Sequence, residues 1–463
     1  MLTVLTTFHS GIEKGSCNQD IKADSEMKNE LTKARGKINR IDKKMAKLFT
    51  KRMEAAGSIA QYKIDNGLPI TDSERERALL KQNCEAVDPI YKDYYERFFR
   101  ETVSLSKTYQ ADAVRKRESL IGEDTVLTVS VKDGSYPVVI ARGALERADR
   151  YFDLNRRVFI LTDSGVPKEY AQTIEKICAS SVIYTVEEGE GSKSFATLEG
   201  VLTAMAQAGL SRSDCLVSVG GGMVTDLGGL AASLYMRGID FYNVPTTLLA
   251  QVDASVGGKT AVNLENVKNT VGAFKQPKAV LIDPQTLITL PSRHFCNGAC
   301  EVIKMAATLS KELFEQLESL SYGEIFDNVE HIITKSVELK IKIVELDERE
   351  SGIRKALNFG HTIGHAIESK EGLSGMLHGE CVGIGMLPFC SHNVRTRVVA
   401  LLKKMSVKTV YDGDRYALTS YIRYDKKRAD DRISVVVCNE IGSYEIKQMN
   451  LKEVNEIVVN SIN

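Results

Sequence analysis

At 463 residues with 43% hydrophobic content, the chain is long enough for about two to four domains, each with its own core. Lys+Arg and Asp+Glu balance at 61 each, so no global charge favours nucleic acid or an anionic membrane surface, and any anion site must come from a local cluster. The nine cysteines are scattered without a C-x-x-C pair and the first twenty residues lack a signal-peptide core; no apolar run approaches the ~20 residues of a membrane span, so the sequence predicts a cytoplasmic protein with reduced thiols.

Residues 1–25 mix Gly, Ser, Thr and charge without periodicity and are expected to form a mobile tail. From Met27 to Ile64 there is no proline, and Leu31, Ile38, Ile41, Met45, Leu48 and Ile59 recur at helical spacing. This predicts one helix of roughly 55 Å at about 1.5 Å per residue. NGLPI closes it, Asp72 or Ser73 caps a second helix to about Ala86, and Pro89 precedes a third from Tyr91 to Gln110. A helical module over 26–110 is too thin to bury its own apolar face and is expected to pair with a copy of itself. Residues 111–122 read either as a linker or as continued helix.

The polar residues of this module are informative. Arg52 and Lys63 are eleven apart, within about 20° of each other around a helix, whereas Arg35 is about 100° away and in a paired helix would reach the partner's site. Arg75 with Glu76, then Ser106 and Gln110 one turn apart, extend the set. The competing reading is a solvated coiled-coil face.

Beyond 122 the pattern changes. Apolar runs at Val126 to Val131, Val138 to Ile140, Val158 to Thr162, Val182 to Val186, Leu216 to Val219, Phe241 to Val244 and Val280 to Ile282 alternate with helical stretches from Lys168, Ala196 and Met223. Over 123–290 this predicts a parallel sheet covered on both faces. CLVSV runs into Gly220-Gly221-Gly222 and a helix carrying Asp226, where a helix N-terminus suits a pyrophosphate or the glycines simply make a tight turn. EGEGSK at Glu188 to Lys193 and the pair Thr246-Thr247 follow other strands. QVDASVGGKTAVN, with Asp253 and Lys259, and then Lys268-Asn269 suit phosphate; a polar surface loop is the alternative.

From Pro291 to the end the chain reads as helical. A helix from Gly298 to Ser310 carries Glu301 and Lys304, and a second reaches Lys340 and Lys342. RKALNFGHTIGHAIESKEGLSGMLHGE then places His361, His365 and His378 together in a chain with seven histidines. Read as a helix from Leu357 to Ile367, weakened at Gly360 and Gly364, it projects His361 and His365 from one face while His378 folds back on them. Such imidazoles with a carboxylate suit a divalent ion such as zinc, against the plainer reading of partly buried histidines. A hairpin around Ile441-Gly442 and a last helix close the chain.

Two family resemblances go further. ELTKARGKINRIDKKMAKLF, KR, IAQYK, GLPITDSERE and SLSKTYQ together resemble the all-helical chorismate mutases over about 85 residues. The resemblance implies rearrangement of chorismate to prephenate in a charged cage. Arg35 (from the partner chain), Arg52 and Arg75 would hold the two carboxylates, Lys63 and Gln110 would meet the ether oxygen where negative charge develops, and Glu76 would hold the hydroxyl. Asp72 and Ser106 match further motif positions.

GGGMVTDLGGLAASLYMRGIDFYNVPTTLLAQVDASVGGKTAVN, KNTVGAFKQPKAVLID, GACEVIK, ESGIRKALNFGHTIGHAIES and LHGE resemble 3-dehydroquinate synthase across about 340 residues. That resemblance makes Glu301, His361 and His378 the ligands of a divalent metal, zinc or cobalt, and moves His365 to the substrate site. It implies NAD on Asp163, Glu190, Lys193, Gly221, Gly222, Asp226, Thr246, Thr247 and Thr289. Substrate and phosphate contacts would come from Asp253, Lys259, Lys268, Asn269, Lys304, Lys340, Arg354, Asn358, His365 and Lys426, with Arg237 reaching across a dimer. The implied chemistry oxidises one ring hydroxyl of a seven-carbon keto-acid phosphate, expels phosphate, reduces the ketone again and recloses the ring as a carbocycle. Two departures stand out: Gly165 occupies a position that is often Asn in the family, removing one ribose contact, and the region 391–424 is shorter than usual, which affects the local helix count and the place of Lys426.

The expected fold is therefore multidomain: an all-α chorismate mutase module, an α/β NAD-binding domain over 123–290 and a mainly α-helical metal-binding domain over 291–463. The expected protein is a homodimer acting on small-molecule substrates of the shikimate pathway, with neither nucleic acid nor membrane as partner. The alternative keeps the synthase active and leaves the helical module only dimerisation or regulation.

Overall fold

Lys, Glu, Ala, Met and Leu favour helix and lose little side-chain freedom there, and a run rich in them forms the 50-residue α1 (Ser16–Asp65) in the computed structural model. The residues described are 16–65, 73–118, 124–132, 134–264, 267–372, 375–425 and 432–461. The expected mobile tail is corrected in part: helix begins at Ser16, and residues 1–15 lie outside the described ones. α2 (Ser73–Glu85) follows, and a short 3-10 turn at Pro89–Tyr91, capped by the Asp88 carboxylate on the Ile90 N–H, leads into α3 (Lys92–Glu118). Asp72, one of the two expected caps, lies outside the described residues. Helix continues to Glu118, so the continued-helix reading of 111–122 holds that far.

The chain divides into two compact units, Met1–Arg117 and Glu118–Asn463. In the first, the fully buried apolar side chains among the described residues are only Ala56, Ala60 and Cys84, while Leu31, Ile38, Ile41, Met45, Leu48 and Phe49 of α1 stay exposed. A Cβ at Gly57 would stand 3.2 Å from the Tyr109 ring, so α1 and α3 approach closely there.

The second unit is built on a seven-stranded sheet with order β1-β2-β9-β6-β5-β3-β4. β1 (Thr125–Val131) and β2 (Gly134–Ile140) form an antiparallel pair at one edge. β3 (Arg157–Asp163), β4 (Ser180–Val186), β5 (Cys215–Gly220), β6 (Asp240–Pro245) and β9 (Ala279–Ile282) are parallel, and β2 joins β9 in parallel. Val158 to Leu161 and Leu216 to Val217 are fully buried, which is why these strands read as continuous apolar runs rather than alternating ones. α4 (Lys168–Ile177), α5 (Phe195–Gln207) and α6 (Gly222–Leu234) connect them. The chain steps outward from β3 to β4 on one side and from β5 to β6 on the other, so a crevice opens at the carboxyl ends between them.

One element was not anticipated. The stretch read as a phosphate-binding or polar surface loop forms an antiparallel ribbon of β7 (Lys259–Leu264) and β8 (Val267–Phe274), entered through a π-helical turn at Ala250–Ala254. Its two strands approach closely at Gly272, where a Cβ would meet the Thr260 carbonyl oxygen of the facing strand at 2.0 Å.

The helical layer comprises α7 (Ser292–Leu309), α8 (Lys311–Ser319), α9 (Tyr322–Asp327), α10 (Val329–Leu346), α11 (His361–Glu371), α12 (His378–Met386), α13 (His392–Lys404), α14 (Arg415–Asp425) and α15 (Leu451–Ser461). Residues 391–425 hold two helices, and the hairpin around Ile441-Gly442 is β10 (Arg432–Val437) with β11 (Glu445–Asn450). One apolar cluster joins Val138, Ile140, Val280 and Ile282 of the sheet to Phe295, Phe314 and Val382 of the helices and to Phe359 just before α11, so residues on either side of 290 share a core. Among the described residues no helix is long and apolar enough to cross a membrane.

Candidate active sites

The expected helix from Leu357 to Ile367 is corrected. Residues Ile353–Asn358 form a 3-10 turn, Gly360 takes a left-handed φ of 80°, and α11 starts at His361. Gly360 and Gly364 are therefore packing positions rather than weak points within one helix: a Cβ at either would run into the α12 backbone at Val382. α12 in turn starts at His378, where the Gly379 N–H donates to Asn297 Oδ1 at 2.6 Å and ties it to α7.

These contacts bring Glu301 of α7 to the two helix starts, and the ligand atoms of Glu301, His361 and His378 lie within 4.8 Å of one another. Glu301 is wholly buried; its Oε2 is met by the Lys304 ammonium, while Oε1 has no hydrogen-bond partner and faces His378 Nε2 at 3.5 Å. A buried carboxylate with one oxygen left over beside two imidazoles fits a divalent cation. His361 Nδ1 lies 3.2 Å from the Phe359 carbonyl, which leaves Nε2 for a ligand role. Burial, reinforced by the Lys304 ammonium and the neighbouring imidazoles, holds His361 well below the usual histidine range, so its ring is neutral. Burial opposes charge on His378 too, but Glu368 and Glu301 raise it. His365 stands 5.1 Å ring to ring from His361, yet its nitrogen groups with Glu368 and His378 rather than with Glu301.

A cationic cluster adjoins this group. Asp253, in the π-helical turn, is paired with Lys340 and lies 3.8 Å from Lys304. Burial works against the Asp253 charge, but Lys340 and Lys304 outweigh it and hold the carboxyl well below the usual range. Burial lowers the Lys340 ammonium despite Asp253. Arg354 is 2% exposed and donates to the carbonyls of Glu348 and Gly257, and its Nε–H has no partner. Gly257, at φ 98°, makes room, since a Cβ there would stand 2.6 Å from the guanidinium. Lys259 and Asn358 both bind Glu350.

The residues assigned to a dinucleotide follow the carboxyl ends of neighbouring parallel strands. Asp163 ends β3 and accepts from the Gly165 and Val166 N–H groups at 2.9 and 3.2 Å. Glu190 and Lys193 follow β4; Gly221 lies between β5 and α6, and Gly222 opens α6; Thr246 and Thr247 follow β6; Thr289 ends the turn after β9 and bonds Tyr170 at 2.9 Å. Lys193 is 2.5 Å from both Asp226 and Asn269 Oδ1. Where Gly165 lacks a side chain, Glu188 fills the space: a Cβ there would stand 2.2 Å from its carboxylate. Arg237 is exposed in a left-handed turn at the far end of α6 from Gly222, roughly 20 Å along the helix. Lys426 lies outside the described residues.

In the helical unit, Arg52 donates to Ser106 and, at 3.1 Å, to the Thr102 carbonyl, which pins α1 to α3. Gln110, one turn on, is 8% exposed and its side-chain oxygen has no partner. Lys63 is half-buried and Arg75 exposed, while Arg35 is exposed about 25 Å along α1 from Arg52. Asp72 and the Glu76 side chain lie outside what is described.

Comparison with known proteins bears on both units. Models of the 3-dehydroquinate synthase N-terminal and C-terminal regions match residues 183–297 and 298–428. A 3-dehydroquinate synthase of Streptococcus sanguinis is 38% identical over 351 residues, 72% of this chain and 99% of the relative. One from Enterococcus faecalis is 40% identical over 346 residues, 71% and 97% of the two chains. The chain belongs to the 3-dehydroquinate synthase family. A chorismate mutase type II model matches residues 34–111, so a segment similar to that family precedes the synthase region. Among solved structures, 2-deoxy-scyllo-inosose synthase complexed with carbaglucose-6-phosphate, NAD+ and Co2+ is 25% identical with a TM-score of 0.66, covering 72% of this chain and 99% of its own. A 2-epi-5-epi-valiolone synthase from Streptomyces hygroscopicus subsp. jinggangensis with NAD+ and Zn2+ bound is 26% identical with a TM-score of 0.65, covering 71% and 97%.

Two residues of the synthase unit escaped the sequence reading. Glu350, in a left-handed backbone at φ 59°, sits between Lys259 and Asn358, and nothing in its local sequence signals that turn. Glu368 sits three residues after His365 on α11. That spacing on one helix face was a usable signal.

Proposed function

We propose that the chain converts 3-deoxy-D-arabino-heptulosonate 7-phosphate to 3-dehydroquinate and phosphate, and rearranges chorismate to prephenate. The observation that carries the first reaction is the convergence of the buried Glu301 carboxylate with His361 and His378, adjoining Lys304, Lys340 and Arg354. Glu301, His361 and His378 would hold zinc or cobalt, and the loops from Asp163 to Thr289 would hold NAD. When bound, NAD takes up and returns a hydride, and the ion polarises the hydroxyl being oxidised.

The chain's own groups do the rest. Arg354, buried without a carboxylate hydrogen bond, and Lys259, Lys268, Asn269 and Asn358 would hold the substrate's phosphate and carboxylate. Asp253 stays ionised between Lys340 and Lys304 and can fix a substrate hydroxyl, while His365 faces the same space beside the metal ligands. Expelling phosphate requires these cations to stabilise a leaving dianion in a site screened from water. For the mutase, Arg52, Lys63, Arg75 and Gln110 form the cage of one site, with Ser106 fixing Arg52.

A homodimer completes this reading. Exposed apolar residues along α1 need a partner surface, and Arg35 is too far along α1 to serve its own chain's Arg52. Arg237, exposed at its turn, is proposed to serve a neighbouring subunit's synthase site. Eight of the nine cysteines, those whose side chains are described, are free thiols, which supports a reducing, cytoplasmic setting. The test is to assay the purified full-length chain for both reactions with and without a chelator. Loss of dehydroquinate formation alone on chelation supports the proposal. Absence of prephenate formation from a folded protein would reduce the helical module to dimerisation or regulation.

A further inference from the structure

Glu368 is 4% exposed, lies on α11 and has no role in the reading above. One of its oxygens is 3.3 Å from His378 Nδ1, and the other accepts from Lys268 Nζ at 2.7 Å. His378 Nε2 points the other way, 3.5 Å from Glu301. Lys268 is itself held near Glu190, at 3.7 Å, and Glu190 accepts from Asn263 at 2.9 Å. The carboxylate is therefore locked from behind by an ammonium and has one lone-pair direction committed to the imidazole.

A second use of these atoms is conceivable, because the ligand atoms of His365, Glu368 and His378 also lie within 4.8 Å of one another. An ion there would compete with the Lys268 ammonium already on Glu368 and would require His378 to give up its Nδ1 proton. Coulomb repulsion from Lys268 opposes both.

We propose that Glu368 is a positioning residue that keeps the proton of His378 on Nδ1 and turns Nε2 toward Glu301 and His361. An imidazole can donate from one nitrogen and coordinate through the other only in one tautomer, and an acceptor behind the ring selects that tautomer and fixes the ring plane. Lys268, one of the residues assigned to substrate, keeps Glu368 from rotating away. The inference rests on the metal-site reading proposed above.

The test uses full-length protein stripped of metal, with zinc as the probe and competition against a chromogenic chelator as the readout. Glu368→Ala is expected to weaken zinc binding by roughly 10- to 100-fold while prephenate formation and the melting curve of the metal-free protein stay as in the parent. Nitrogen-15 spectra of histidine-labelled, metal-free protein should show His378 passing from a single Nδ1–H tautomer to a mixture. Glu368→Gln, which keeps the shape and one acceptor oxygen, is expected to retain more affinity than Glu368→Ala and covers the case in which the alanine variant does not fold. Unchanged zinc affinity in both variants would overturn the proposal. So would two zinc ions per parent chain, of which Glu368→Ala loses one and keeps the other at full affinity, since that marks a second ion site. If the parent binds no zinc, or His361→Ala binds it normally, the metal-site reading itself fails and the proposal falls with it.

Discussion

Gly379→Ala tests whether the contact between α7 and α12 sets the metal site. A Cβ at residue 379 would stand 2.0 Å from the Asn297 carbonyl oxygen, where ordinary contacts begin at 3.4 Å. The first turn of α12 must then retreat by about 1.4 Å, because the obstacle is backbone inside a packed helix and cannot rotate aside. Overpacking of this kind costs about 1–3 kcal/mol of stability. The larger effect is local, since His378 is the neighbouring residue and ligand distances tolerate only about 0.2 Å. Zinc affinity is expected to fall at least 100-fold and dehydroquinate formation to fall with it, while prephenate formation is retained. Zinc titration of the metal-free variant, with its melting curve alongside, measures both effects. A folded Gly379→Ala protein with parental zinc affinity would refute the reasoning, because it would mean that α12 can shift without moving its ligand.

Arg52→Ala should remove about 3 kcal/mol of transition-state stabilisation from the mutase and spare the synthase; near-normal prephenate formation would sink that assignment. His361→Ala should abolish metal binding, whereas His365→Ala should keep the metal and lose activity, and equal metal loss in both variants would return His365 to the ligand set. Asp347 accepts from the N–H groups of Ser351, Gly352 and Arg354; burial opposes its charge, but these bonds bring its carboxyl down from 3.8 to about 2. A depressed carboxyl contributes stability that is fully present above its unfolded value and fades as pH falls from about 4 toward 2, so Asp347→Asn should flatten the melting temperature over that window and weaken phosphate binding through the Glu350 to Arg354 loop. An unchanged acid limb would remove Asp347 from this role.

The long proline-free period of α1, the apolar runs of β3, β5, β6 and β9 and the motif residues around them were legible in the chain alone, because helical and strand periods are set by local backbone geometry. The same holds for the concentration of histidines between 361 and 378. Tertiary packing alone decided where α11 begins, since Gly360 takes its left-handed turn against α12, and it alone brought Glu301, sixty residues before His361 in the chain, to the imidazoles. It also turned a presumed loop into the β7–β8 ribbon and placed Glu368 between His378 and Lys268. A local pattern says which face of an element a side chain occupies. Which distant charge it meets across the cleft depends on how helices and sheet pack, and here glycine contacts of one α12 turn set that meeting.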